Sequence, residues 1–150
     1  MFNMDEKDRK IFNALKENSK LSTRKIASKT GLPITTVHNR IRKLQKTGVI
    51  RKYTIIPDYG KIGLNVLAYI LVYADQELLK QKNRTQTTLT KEIRKYDMIE
   101  DAYMIAGETD IIVKVRATDM DQLSTFLVDS LRNLEGVQKT HTLIVIPDTE

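Results

Sequence analysis

The chain has no cysteine, which excludes disulfides, thiolate chemistry and cysteine-ligated zinc and suits a reducing compartment. No uncharged apolar run approaches the roughly 20 residues needed to span a bilayer, and the opening MFNMDEKDRK is too charged for a secretory core. These absences point to a cytoplasmic protein with no membrane partner. Histidine is scarce: His38 and His141 are the only two, and neither stands at a metal-ligand spacing or beside a phosphate loop or nucleophile motif. The sequence therefore names no catalytic residue, no metal site and no cofactor.

What the chain does have is basic charge in one place. Its 150 residues, 41% hydrophobic, suffice for one compact domain or two small ones. Residues 1–63 hold 15 Lys and Arg against 5 Asp and Glu, a net of +10, whereas residues 64–150 hold 10 against 14, a net of −4. A basic segment joined to a mildly acidic one suggests a footprint for a polyanion plus a body with another task. The competing reading is a solvated charged surface, because Lys and Arg are common on exposed helix faces.

Periodicity separates the two readings, since residues 5–48 carry the punctuation of three short helices. Asp5 is placed to cap the first, whose apolar stripe is Ile11, Phe12 and Leu15. Ser22 caps the second, which turns Ile26 and Ala27 inward and stops at Gly31. Leu32 fills the corner, and Pro33 suits the first turn of a third helix that runs to Gly48. The expected result is a helix-turn-helix domain over residues 1–50, followed by a strand and linker over 51–63, with VIRKYTII as the strand and PDYGKIG as the link.

On the third helix Val37, Ile41 and Leu44 share one face, which packs inward. At about 100° per residue the opposite face presents Thr35, Asn39, Arg42 and Lys46, flanked by Thr36, His38 and Lys43. No acid interrupts it. An ordinary amphipathic helix mixes signs for i,i+4 pairing, whereas this face offers only donors and hydroxyls, the groups that bond phosphates and base edges of double-stranded DNA. Ser22 and Thr23, at the start of the second helix, complete the candidate DNA contacts. Arg40 stands about 60° from the core centre, a position suited to a structural ion pair. Arg51 and Lys52 fit either a phosphate contact or a solvated strand.

Residues 64–150 follow a βαββαβ order: LNVLAYILVYA, a polar stretch ending TLTKEIRKY, MIEDAYMIAG, DIIVKVRA, a helix from Asp119, and VQKTHTLIVI. That is the ferredoxin-like arrangement of an α+β protein, four antiparallel strands with helices on one face. The last helix is the better defined, with Asp119 and Gln122 as a capping box, a stripe of Leu123, Phe126, Leu127, Leu131 and Leu134, and Gly136 at its end. The segment KQKNRTQTT reads equally as vague helix or as loop. AYILV and LIVI are apolar at both parities, so the second sheet face needs a cover, and a copy of itself is the economical one. The expected assembly is a two-fold homodimer that also supplies two reading helices at the spacing of successive major grooves.

Acylphosphatase-like enzymes share this layout, but the chain offers little to catalyse with. An RNA-recognition module would stack bases on aromatics of its central strands, and DIIVKVRA has none.

The stretches MDEKDRKIFNALKENSKLS, GLPITTVHNRIRKLQKTGVIRKYTIIPD, GLNVLAYILV, AGETDIIVKV and LEGVQKTHTLIVI together resemble the Lrp/AsnC, or feast/famine, transcriptional regulators of bacteria and archaea. The resemblance covers nearly the whole chain. It implies an N-terminal helix-turn-helix, a C-terminal ferredoxin-like domain over residues 64–150 that dimerises and builds higher homo-oligomers, and control by a small effector, usually an amino acid. It places the effector near Gly107, Thr109, Asp110, Thr140 and Thr142. The chain departs from the family pattern at Pro33, where serine is common, and at Thr109, where an aromatic is common. Each effector candidate also has a structural reading: a turn glycine, strand threonines, and a turn-capping aspartate.

Overall fold

The computed structural model describes residues 3–146. It divides into two compact units, Met1–Pro57 and Asp58–Glu150.

In the first unit, α1 (Glu6–Glu17), α2 (Thr23–Thr30) and α3 (Ile34–Lys46) begin where the capping residues put them. Asp5 and Asp8 form a reciprocal capping box on α1, Ser22 accepts from the Lys25 backbone N–H, and Gly31 ends α2 in the left-handed conformation. Pro33 sits at the N-cap of α3 and makes no side-chain capping bond. Instead Thr47 closes the other end, its hydroxyl donating to the carbonyls of Lys43 and Leu44. The three helices share a core of Ile11, Ala14, Leu15, Ile26, Ala27, Val37 and Leu44, with Phe12, Leu32 and Ile41 half-buried against it. Full burial of one such side chain stabilises by about 1.5 to 3 kcal/mol.

The expected strand over VIRKYTII does not form: residues 51–57 have no regular structure, and Ile55 and Ile56 are exposed. A strand needs a neighbour for its N–H and C=O groups, and no strand of the described chain pairs with this one. The expected 51–63 segment is shared between the units. Its second part forms a 3₁₀ turn, Gly60–Ile62, fastened within the second unit by Tyr59. The Tyr59 hydroxyl donates to Glu100 (2.9 Å), and its ring lies 3.8 Å from the Arg116 guanidinium. Sharing its proton with Glu100 raises the Tyr59 pKa above the usual phenol value.

The second unit runs β1 (Val66–Ala74), α4 (Gln76–Gln81), α5 (Gln86–Ile93), β2 (Ile99–Met104), β3 (Ile111–Ala117), α6 (Met120–Thr125) and β4 (Val137–Ile144). The strands pair antiparallel in the order β2-β3-β1-β4. The polar stretch that reads as helix or loop is helix, turn, helix: Asp75 caps α4 and Thr85 caps α5 through a box with Thr88. After α6 the chain widens into a π-helical turn, Phe126–Leu131. The Asp119 carboxylate accepts from the Gln122 N–H as expected, but Gln122 Oε1 accepts from Thr118, so the box is not reciprocal.

One sheet face carries the core. Ala68, Ile70 and Val72 of β1 stand opposite Val115, Val113 and Ile111 of β3, and Leu89, Ile93, Leu123, Phe126 and Leu131 cover them. Tyr96 meets Phe126 edge-to-face at 5.3 Å. The other face alternates strictly along β1, where Leu67, Tyr69, Leu71 and Tyr73 are only half-buried. Beside them lie Ile112, Lys114 and Arg116 of β3 and Leu143, His141 and Lys139 of β4.

Candidate DNA-reading helix and effector turn

The core residues Val37 and Leu44 fix the inner side of α3, and their full burial turns the polar side outward. Thr35, His38, Asn39, Arg42, Lys43 and Lys46 are exposed there, and Thr36 is half-buried. Asn39, Arg42, Lys43, Lys46 and Thr47 line a shallow hollow of about 360 Å³. On α2, Ser22 is exposed with its hydroxyl engaged at the cap, and Thr23 is half-buried. The third helix thus presents cations, an amide and hydroxyls on one surface with no acid in its own sequence.

Two acids approach α3 from α1. Arg40 Nη1 donates to the carboxylates of both Asp5 and Asp8, the latter at 3.0 Å. Lys43 Nζ stands 3.9 Å from Asp8 Oδ2. The Asp8 backbone N–H is the main cause that holds the Asp5 carboxyl below its ordinary range; desolvation opposes it, and Arg40 adds to the lowering. The sequence marks Arg40 as a pairing residue, but the two acids are 32 and 35 positions away and no local pattern names them.

In the second unit the turn between β2 and β3 holds Gly107, whose φ of +150° is a conformation that side chains disfavour. Thr109 is buried. Asp110 is a hub: its Oδ2 accepts from the Ala74 N–H (2.8 Å) and its Oδ1 from Gln76 Nε2 (2.9 Å). Its own N–H donates to the Val72 carbonyl, and its carbonyl accepts from Gln86 Nε2. The turn is thereby tied to the end of β1 and the start of α5. Thr140 lies in the same row, across β1: Val72 stands opposite both Ile111 and Thr140, which sets the turn's end and Thr140 about 10 Å apart. The Thr140 hydroxyl accepts from Arg132 Nε (3.1 Å). Thr142, opposite Ile70, has a buried hydroxyl oxygen with no partner among the described residues. Gln76, Gln86 and Arg132 are neighbours that no sequence motif marks.

Among the described residues no group of three His, Asp or Glu side chains is placed to hold a metal, and no helix is long and apolar enough to cross a membrane. His38 and His141 lie in separate units.

A helix-turn-helix unit with an acid-free third helix, followed by a βαββαβ unit, defines the class: a DNA-binding transcriptional regulator with a ligand-binding domain. Residues 4–51 match the winged helix-turn-helix DNA-binding family model, and residues 68–149 match the Lrp/AsnC ligand binding domain. The chain belongs to the Lrp/AsnC family. It is 38% identical to the HTH-type transcriptional regulator FL11 of Pyrococcus horikoshii, covering 95% of this chain and 89% of that one. The FL11 of Pyrococcus abyssi is 36% identical over the same shares. A Neisseria meningitidis regulator, solved as a complex with L-Met, superposes with a TM-score of 0.87 at 24% identity, covering 99% of this chain and 93% of that one. For AsnC of E. coli the TM-score is 0.85 at 24% identity, covering 98% and 95%. These two likenesses show the fold. The family is one of regulators rather than enzymes.

Proposed function

We propose that α3 enters the major groove, with Thr35, Asn39, Arg42 and Lys46 reading base edges. Thr36, His38, Lys43, Ser22 and Thr23 then contact the backbone or the edge of the site. The observation that carries this reading is the outward face of α3, basic along its length and free of acids. Residues 1–50 do the binding, residues 51–63 link, and residues 64–150 associate and sense.

The effector in this reading is an amino acid or related metabolite held near Gly107, Thr109, Asp110, Thr140 and Thr142. The L-Met complex of the Neisseria meningitidis relative of the same fold supports an amino acid. So does the chemistry, because an α-amino acid needs an acceptor for its ammonium and donors for its carboxylate. Each Asp110 oxygen already accepts one bond and retains a second lone pair, and the Thr142 hydroxyl has no partner among the described residues. Two copies packing their half-buried sheet faces together give a homodimer that acts in the cytoplasm and joins into larger homo-oligomers, whose balance the effector shifts.

The test is selection of bound sequences from random duplex DNA, with and without pooled amino acids, followed by calorimetric titration of each of the twenty into wild type and Asp110→Ala. A selected sequence motif that sharpens or disappears with one amino acid is expected. No enrichment overturns the DNA reading, and no titration heat at millimolar concentration overturns the effector assignment.

A further inference from the structure

Asp8 is the only charged residue among the described ones that is fully buried. Burying a carboxylate is costly unless it is paired and hydrogen-bonded, and here one guanidinium does most of that pairing. Asp8 Oδ1 accepts from Arg40 Nη1 at 3.0 Å, and Asp8 Oδ2 accepts from the Asp5 N–H at 3.3 Å. Asp5 returns the bond, its Oδ1 accepting from the Asp8 N–H at 2.8 Å, while its Oδ2 accepts from the same Arg40 nitrogen. The first turn of α1 is therefore closed on itself and grips the middle of α3 at one point.

Lys43 Nζ, 3.9 Å from Asp8 Oδ2, adds a second charged contact to the same acid, and α3 meets its neighbours besides through the apolar Val37, Ile41 and Leu44. The buried apolar side chains decide which side of α3 faces inward, and the directional bonds to Asp5 and Asp8 add a sharper constraint on its rotation. A hydrogen-bonded ion pair weakens steeply with angle. Side-chain tips stand about 5 to 6 Å from a helix axis, so a rotation of about 20° moves them by about 2 Å. That is enough to break a two-point contact with a base edge. Arg40 is next to Asn39 in sequence and two residues before Arg42, so its anchoring sets where both point.

We propose that Asp5 and Asp8, acting through Arg40, set the rotation of α3 about its own axis, and that Arg40 is a positioning residue for sequence discrimination without touching DNA. The inference rests on the reading of α3 as the DNA-reading helix.

The experiment measures affinity for a duplex selected by the wild-type chain and for a random-sequence duplex, each over a range of salt, with folding followed by circular dichroism. Arg40→Met is expected to lower the ratio of the two affinities by about tenfold, with the random-duplex affinity and the salt slope unchanged. Arg40→Lys, which keeps the charge, is expected to recover part of the ratio. If Arg40→Met fails to fold because Asp8 is left unpaired, Asp8→Asn with Arg40→Met removes both charges, and the same fall in ratio is expected from that folded protein. An equal loss on both duplexes with a slope shallower by about one assigns Arg40 to a phosphate and overturns the proposal. An unchanged ratio in either variant also overturns it. A wild-type chain with no preference between duplexes overturns the reading of α3 as well, which separates the two failures.

Discussion

Arg42, as a proposed DNA contact, offers a test that separates binding from folding at the level of one residue. It is exposed on α3, away from the buried Val37 and Leu44. Arg42→Ala is expected to leave the thermal midpoint unchanged and to weaken binding to a selected duplex by about 1 to 3 kcal/mol if it reads a base. A uniform loss with a shallower salt slope is the signature of a phosphate contact, and unchanged binding removes Arg42 from the interface. Asp5 makes the complementary prediction about stability. Its folded pKa lies below the ordinary 3.8, so its contribution is fully present above that value and is lost as pH falls through the folded one. Urea midpoints measured from pH 6 down to 2 are expected to be lower for Asp5→Asn in the upper part of the range and to converge on wild type in the lowest part. A constant gap throughout would mean that the charge on Asp5 contributes nothing. At this scale the sequence was most legible where a role is local, as with the caps at Asp5, Ser22 and Gly31. Asp110 shows the opposite case: its carboxylate closes on Ala74 and Gln76, 36 and 34 positions away, and a side chain's distant partners leave no periodic trace.

At the scale of the element, legibility followed how far the signal lies within the element itself. The stripe of α3 follows from 3.6-residue spacing, and Leu44 within it is completely buried. Leu44→Ala is expected to cost about 2 to 5 kcal/mol in chemical unfolding, because the transfer loss and the cavity add. Loss of DNA affinity should then appear only at temperatures where the variant unfolds. Normal stability would show that the three-helix core is not closed as described. VIRKYTII has strand-like composition, yet β propensity is a statement about fitting beside neighbours, and residues 51–57 have no neighbouring strand in the described chain. The KQKNRTQTT stretch, open between helix and loop in the sequence, is settled as helix, turn, helix by caps at Asp75 and Thr85 and by the burial of Leu79 and Leu89. The π-helical turn at Phe126–Leu131 still buries Phe126, Leu127 and Leu131, so the stripe was correct although the winding was not regular.

Taken whole, the molecule joins a binding unit to one whose sheet has a half-open face. Leu67, Leu71 and Ile112 are half-buried there and Leu143 is 44% exposed, so the proposed copy-to-copy packing has apolar area to bury. The fragment Asp58–Glu150, a compact unit by itself, is expected to sediment as a dimer. Met1–Pro57 alone is expected to bind DNA far more weakly than the full chain, because joining two binding events is worth 10²- to 10⁴-fold in favourable geometry. A monomeric fragment at equilibrium, or a helical unit that binds as tightly as the full chain, would overturn the dimer.

The sequence by itself determined the order of the two folding units, the βαββαβ plan, the concentration of positive charge in residues 1–63 and the acid-free face of α3. Each is a property of composition or of spacing within one element, which neighbours along the chain are enough to specify. Only the tertiary structure decided that Asp5 and Asp8 grip Arg40, that Asp110 is tied to β1 and α5, and that the Thr142 hydroxyl is buried without a partner among the described residues. Those facts depend on side chains tens of residues apart arriving within hydrogen-bond reach, and that follows from how elements pack rather than from what any one of them contains.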